Sequence, residues 1–220
     1  MFDTVIFDLD GTLLDTLKDL ATACNHTLAA MGLPTHPVED YKQMVGSGIA
    51  DLISRMLPDE ARSENSIALA GDLFSRYYSR HMVDFTAPYP GVPRLLETLS
   101  ARGVQMAVAS NKAHHYVLPI VRQFFPGVFA AVHGQQTEVP KKPDPAIVYN
   151  LLAEMGPAAD PRRVLYVGDS DVDIYTARNA GLPGCGVLWG FRAREELLAA
   201  GADYLAENTE ELLNIIVDTI

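Results

Sequence analysis

The sequence predicts an α/β fold, a doubly wound and mostly parallel sheet with an all-α segment inserted after its first strand. Three observations predict it. Short apolar or β-branched runs recur along the 220 residues, amphipathic stretches with legible ends separate most of them, and one long stretch carries helical periodicity alone.

The strand candidates are Val5-Ile6-Phe7, Val104 to Ala109, Phe129 to Val132, Val164 to Val167 and Cys185 to Leu188. Near-continuous apolar runs of this length fit a parallel sheet covered on both faces. Between them, Pro93 to Arg102 places Leu95, Leu96 and Leu99 on one stripe and stops at Gly103. Asp144-Pro145 opens a helix through Ile147, Leu151 and Leu152 toward Gly156, with Asp144 as N-cap and Pro145 first in the helix. Asp171 to Ala180 again ends at a glycine, Gly181. From Thr16 to Phe85 no strand is legible. Leu17, Leu20, Ala21, Cys24 and Leu28 share a stripe, and Ile49–Leu57 and Ile67–Tyr78 are also helix-like. Ala87-Pro88-Tyr89-Pro90-Gly91 punctuates the return. The expected organisation is therefore a core of residues 1–15 and 87–220 and a helical cap of residues 16–86, with hinges near Thr16 and Ala87.

Composition narrows the function classes. The chain is 48% hydrophobic and 20% charged, with a formal net charge of -11, which speaks against a nucleic-acid partner. A small phosphate ligand stays compatible, because one lysine and a cation reverse the sign inside a single cleft. Cys24 and Cys185 lack any paired spacing and read as reduced thiols packed as small hydrophobes. With no secretory signal and no apolar run of membrane-spanning length, the expectation is a cytoplasmic protein without a membrane partner, as a monomer or homodimer.

Ligands of open α/β sheets bind beyond the carboxyl ends of the strands. Conspicuous polar groups stand there: Asp8 and Asp10 after the first strand, Ser110-Asn111 after the second and Gly168-Asp169 after the fourth, with Lys142 at the helix after the third. Asp8 and Asp10 flank one residue of an extended segment, so their side chains point the same way. Together with Asp169 they repel one another unless a hard cation such as Mg²⁺ intervenes. One carboxylate can then attack phosphorus while the other handles protons, through an aspartyl-phosphate. Lys142, Ser110 and neighbouring N–H groups can neutralise the phosphoryl oxygens.

The run Asp8-Leu9-Asp10-Gly11-Thr12, then Ser110, Lys142 and Gly168-Asp169-Ser170-Asp171-Val172-Asp173, resembles the haloacid dehalogenase-like hydrolase superfamily along essentially the whole chain. The resemblance implies a Rossmann-like core, a nucleophilic Asp8 and an acid/base Asp10. It implies Mg²⁺ held by the Asp8 carboxylate, the Asp10 backbone carbonyl and Asp169, with Asp173 a ligand or a residue just behind the ligands. Ser110 and Lys142 are the implied phosphate-binding pair, and Asn111 beside them is a further candidate for binding substrate. Asp10 favours phosphatase over dehalogenase within that superfamily but is shared by its mutases. Asp15 to Leu20, Val45-Gly46-Ser47-Gly48 and Pro88 to Val92 are similar to bacterial phosphoglycolate phosphatases, which makes 2-phosphoglycolate the first candidate substrate. Gly46, Ser47 and Gly48 either offer N–H groups to the substrate or form a plain turn between helices. The alternatives are a phosphotransferase of the β-phosphoglucomutase type, a pyrophosphatase or sugar-phosphate phosphatase, and a non-catalytic binding protein. Lys18 and Lys42 read as solvated lysines, His114-His115 as surface or capping residues, and Trp189-Gly190-Phe191 as a packed loop anchor.

Overall fold

The computed structural model describes residues 1–156 and 160–218, so five positions of the expected core lie outside it. Strand β1 (Thr4–Phe7) turns into β2 (Leu14–Asp15), and helices α1 (Leu17–Ala30), α2 (Ile49–Met56) and α3 (Glu64–His81) follow. Strand β3 (Ala87–Pro88) then leads to α4 (Val92–Ala101), β4 (Gln105–Ala113), α5 (His114–Phe124), β5 (Ala131–Gln135) and α6 (Ala146–Met155). The rest alternates: β6 (Val164–Gly168), α7 (Asp171–Asn179), β7 (Gly184–Val187), α8 (Arg194–Ala200), β8 (Tyr204–Ala206) and α9 (Thr209–Asp218).

Six strands form one sheet in the order β5-β4-β1-β6-β7-β8, every pairing parallel. The chain builds outward from β1 to β5 on one side, then returns to β6 on the other. The strand order therefore switches between β1 and β6, where a crevice opens beyond their carboxyl ends. Strand alternation sends Val5 and Phe7 into one apolar cluster and Ile6 into a second on the opposite face. Leu95, Leu99, Ile120 and Leu212 cover the first face, and Ile147, Val148 and Leu151 the second.

The helical segment shares the first cluster. Leu20, Cys24, Leu52, Phe74 and Tyr78 are buried with Phe7 and Val108, so no separate apolar core divides segment from sheet. Its two ends meet. β2 and β3 pair antiparallel, Leu14 opposite Pro88 and Asp15 opposite Ala87. Beside this ribbon the buried Asp19 carboxylate accepts hydrogen bonds from the N–H groups of Phe85 and Thr86 and from Thr86 Oγ1, the last at 2.7 Å.

Several sequence expectations need correction. Ser110 and Asn111 do not follow their strand but lie inside β4. Phe7 is opposite Val108, so β4 overhangs the end of β1 and its last residues still flank the crevice. The third sheet strand is Ala131–Gln135 rather than Phe129 to Val132, and β8 was not expected. Helix α6 begins at Ala146 with Pro145 as N-cap, and Asp144 Oδ1 accepts from the Ala146 N–H at 2.9 Å. Lys142 thus sits in the loop before that helix. No helix among the described residues is long and apolar enough to cross a membrane.

Candidate active site

The crevice is built from the turn after β1 upward. Asp8 is tied to β6 by its N–H, which donates to Val167 O at 2.9 Å. Gly11 then takes φ +87°, and a Cβ there would lie 2.3 Å from Asp169 Oδ2. Gly190 meets Asp169 from the other side, where an added Cβ would fall 2.3 Å from the Asp169 Cβ. Asp169 is therefore wedged between two backbones that only glycine allows so close. Its oxygens accept from Thr12 Oγ1 at 3.3 Å and from the Phe191 N–H at 2.7 Å, and Trp189 Nε1 donates to Thr12 O at 2.9 Å. The Trp189-Gly190-Phe191 loop is both a packed anchor and a wall of the cleft.

Lys142 crosses the floor. Its buried ammonium has four acceptors within hydrogen-bond distance, Asp8 Oδ1 and Asp173 Oδ1 at 2.7 Å, Ala109 O at 3.0 Å and Tyr166 Oη at 3.1 Å, which its three N–H groups share. Burial opposes the charge, yet Asp173 and Asp8 raise its pKa well above the usual lysine range. Asp173 also caps α7, accepting from Ser170 N–H at 3.1 Å and Ser170 Oγ at 2.6 Å.

Asp8, Asp169 and Asp173 each present a carboxylate oxygen within 4.8 Å of the others, a set able to hold a metal ion. Burial, then repulsion by Asp173 and Asp8, raises Asp169 well above the carboxylate range. For Asp8, burial and the nearby carboxylates outweigh Lys142 and push the group up to about 7. Such a group favours folding below its unfolded pKa, and this contribution is lost as pH rises through the folded value. In chelator, wild type should therefore lose thermal stability relative to Asp8→Asn between about pH 4 and about pH 7. A divalent cation should raise the unfolding temperature more at pH 8 than at pH 5. An equal shift at both pH values would sink this account.

The expected site residues do not all converge in the same way. Asp8, Asp10, Ser110, Asn111, Lys142, Asp169, Asp173, Gly46 and Gly48 line one narrow cleft with about 40 Å³ open to the centre of a water molecule. Ser47 does not line it. Its carbonyl accepts from Lys141 Nζ at 3.3 Å, and Lys141 also pairs with Asp51. The Asn111 amide is occupied, bonding Gly46 O, Lys142 O and the Lys142 N–H. The Asp10 side chain lies outside the carboxylate cluster and pairs with Lys112, which sequence reasoning passed over. Arg192 was also passed over. It lines the cleft and bonds Lys42 O and Val45 O, the latter at 2.9 Å. Lys18 covers the Phe85 ring and Lys42 pairs with Glu39, both away from the cleft.

Residues 5–187 match the family model of the haloacid dehalogenase-like hydrolases. The chain belongs to that family. Among curated relatives, a phosphoglycolate phosphatase of Haemophilus influenzae is 33% identical over 98% of both chains, and one of Aquifex aeolicus is 35% identical over 85% of both. A predicted phosphoglycolate phosphatase of Haemophilus somnus superposes with a TM-score of 0.89 over 97% of both chains at 30% identity. CbbY of Rhodobacter sphaeroides, solved with phosphate, gives 0.79 over 96% of both at 26% identity. These relatives place the chain in the phosphoglycolate phosphatase-like subgroup of the haloacid dehalogenase-like hydrolases, as a phosphoric monoester hydrolase.

Proposed function

We propose that this hydrolase is a Mg²⁺-dependent phosphatase acting on a small phosphorylated acid, with 2-phosphoglycolate the first substrate to test. One observation carries the reading. At the strand-order switch, two carboxylates two residues apart hold different partners, Asp8 with Lys142 and Asp10 with Lys112. Lys142 engages Asp8 Oδ1 and leaves Oδ2 without a hydrogen bond among the described residues, which suits a nucleophile. Asp10, outside the metal cluster, suits proton transfer.

In this mechanism Asp8 attacks phosphorus, and Asp10 protonates the departing ester oxygen. Water then attacks the aspartyl-phosphate as Asp10 takes its proton, and inorganic phosphate leaves. Ser110 and Lys142 hold the phosphoryl oxygens. Asp8, Asp169 and the Asp10 carbonyl are the proposed Mg²⁺ ligands, with Asp173 behind them, and the bound ion would supply charge neutralisation. The proposed helical cap of residues 16–86 closes the cleft. Its Gly46 and Gly48 border the site at φ +120° and +90°, and Gly48 is the N-cap of α2. The positive end of that helix suits a substrate carboxylate.

The test is phosphate release from 2-phosphoglycolate, pyrophosphate, sugar phosphates and phosphonoacetaldehyde, with Mg²⁺ and with chelator. The expected result is metal-dependent release, fastest from 2-phosphoglycolate. Undiminished turnover in chelator would overturn the metal dependence. Isomerisation of a sugar phosphate without phosphate release would replace hydrolysis by phosphoryl transfer.

A further inference from the structure

Lys112 is buried at the end of β4, and its ammonium donates to both oxygens of Asp10, at 2.8 and 2.9 Å. Asp10 is its sole carboxylate partner among the described residues. Its backbone N–H donates to Ser110 Oγ at 3.2 Å, so its root is fixed beside the proposed phosphate-binding hydroxyl. Above it lies Tyr78 of α3, whose ring centroid is 5.2 Å from Nζ. Tyr78 is itself clamped, stacked on Phe74 and edge-on to Tyr116 of α5 with centroids 5.1 and 5.2 Å away.

A buried ion pair contributes little as a brace, because removing both charges from water offsets most of their attraction. Packing alone would be served as well by an apolar residue. The ammonium instead does something that a methionine cannot. It fixes the plane and position of the Asp10 carboxyl group by engaging both of its oxygens from one side.

We propose that Lys112 is a positioning residue for Asp10, seated by Tyr78 from the helical segment, and that it serves the protonation of the leaving group. The inference rests on Asp10 as the acid/base group in the reading above. In the first half-reaction a bond forms from an Asp8 oxygen to phosphorus while the phosphorus–ester oxygen bond breaks. The electron pair departs with the ester oxygen, which receives the Asp10 proton and leaves as an alcohol. Asp10 is then a carboxylate with the Lys112 ammonium against both oxygens, oriented to take a proton from water in the second half-reaction. Because Tyr78 belongs to the segment over the cleft, this arrangement is complete only with that segment packed down.

The experiment compares an alkyl phosphate with p-nitrophenyl phosphate in wild type, Lys112→Met, Lys112→Arg and Asp10→Asn, all with Mg²⁺. An alkoxide needs a proton to leave, whereas p-nitrophenolate leaves without one. Lys112→Met should lower kcat/KM for the alkyl ester about 100-fold and for the aryl ester less than about tenfold, mainly through kcat. Asp10→Asn should show the same bias more strongly, and Lys112→Arg should recover most of the alkyl rate. Equal losses on both esters in Lys112→Met, the signature of a structural role, would overturn the proposal. If Lys112→Met does not fold, Tyr78→Leu frees the lysine from the other side, and the alkyl bias must appear there. Wild type inactive on both esters would refute the phosphatase reading. Wild-type turnover with proportional losses in the variants refutes only the assignment of Lys112.

Discussion

Asp8→Asn should abolish turnover and leave the fold nearly intact. The amide keeps the shape of the carboxyl group but cannot form the aspartyl-phosphate, and losing a nucleophile costs about 10⁴-fold or more in kcat. Stability should change little, because burial already pushes the Asp8 carboxyl up to about 7 and a neutral group there is no stranger to the site. In chelator at neutral pH, the unfolding temperature should stay within a few degrees of wild type. The stabilisation by Mg²⁺ should shrink, since one of three clustered carboxylates is gone. Activity within tenfold of wild type would rule out Asp8 as the nucleophile.

Lys142→Met should damage both stability and activity. The lysine is the common partner of Asp8, Asp173, Ala109 O and Tyr166 Oη, all inside the protein. Removing it leaves two buried carboxylates against a thioether, and breaking such a buried pair costs about 3–5 kcal/mol. In a chain of this size that corresponds to a fall of roughly 10 °C in unfolding temperature. The loss should be largest in chelator, because a divalent cation supplies part of the missing positive charge. A thermal scan in chelator and in Mg²⁺ reads both effects. An unchanged unfolding temperature in chelator would mean that the carboxylates are protonated or solvated rather than held by Lys142.

Much of the site could be read from the chain because the central strands are apolar on both faces. Val5-Ile6-Phe7 and Val164 to Val167 admit few other placements, and Asp8 directly after the first and Asp169 one glycine after the second are carried to the crevice. Lys112 escaped notice for the opposite reason. A lysine at a strand end ordinarily extends its stem to solvent, and only the overhang of β4 beyond β1 brings it under Tyr78. Its spacing two residues after Ser110, at the end of a buried strand, was the available signal. β5 was displaced because it is an edge strand whose second half is His133-Gly134-Gln135, too polar for a hydrophobic pattern. Gly134 is needed there, since a Cβ would come within 2.6 Å of Lys112 O. The β2–β3 ribbon and β8 are two or three residues long and are defined by partners distant in sequence, which no local pattern encodes.

That short ribbon has an architectural consequence. Since Leu14 faces Pro88 and Asp15 faces Ala87, everything between them is, to the rest of the molecule, a loop of almost no span. Its replacement by a longer or shorter insert leaves the separation of the anchor points unchanged, and chain-closure entropy grows only slowly with length. The ribbon thus sets no length for the insert, although Tyr78, Gly46 and the shared apolar cluster tie this particular segment to the cleft.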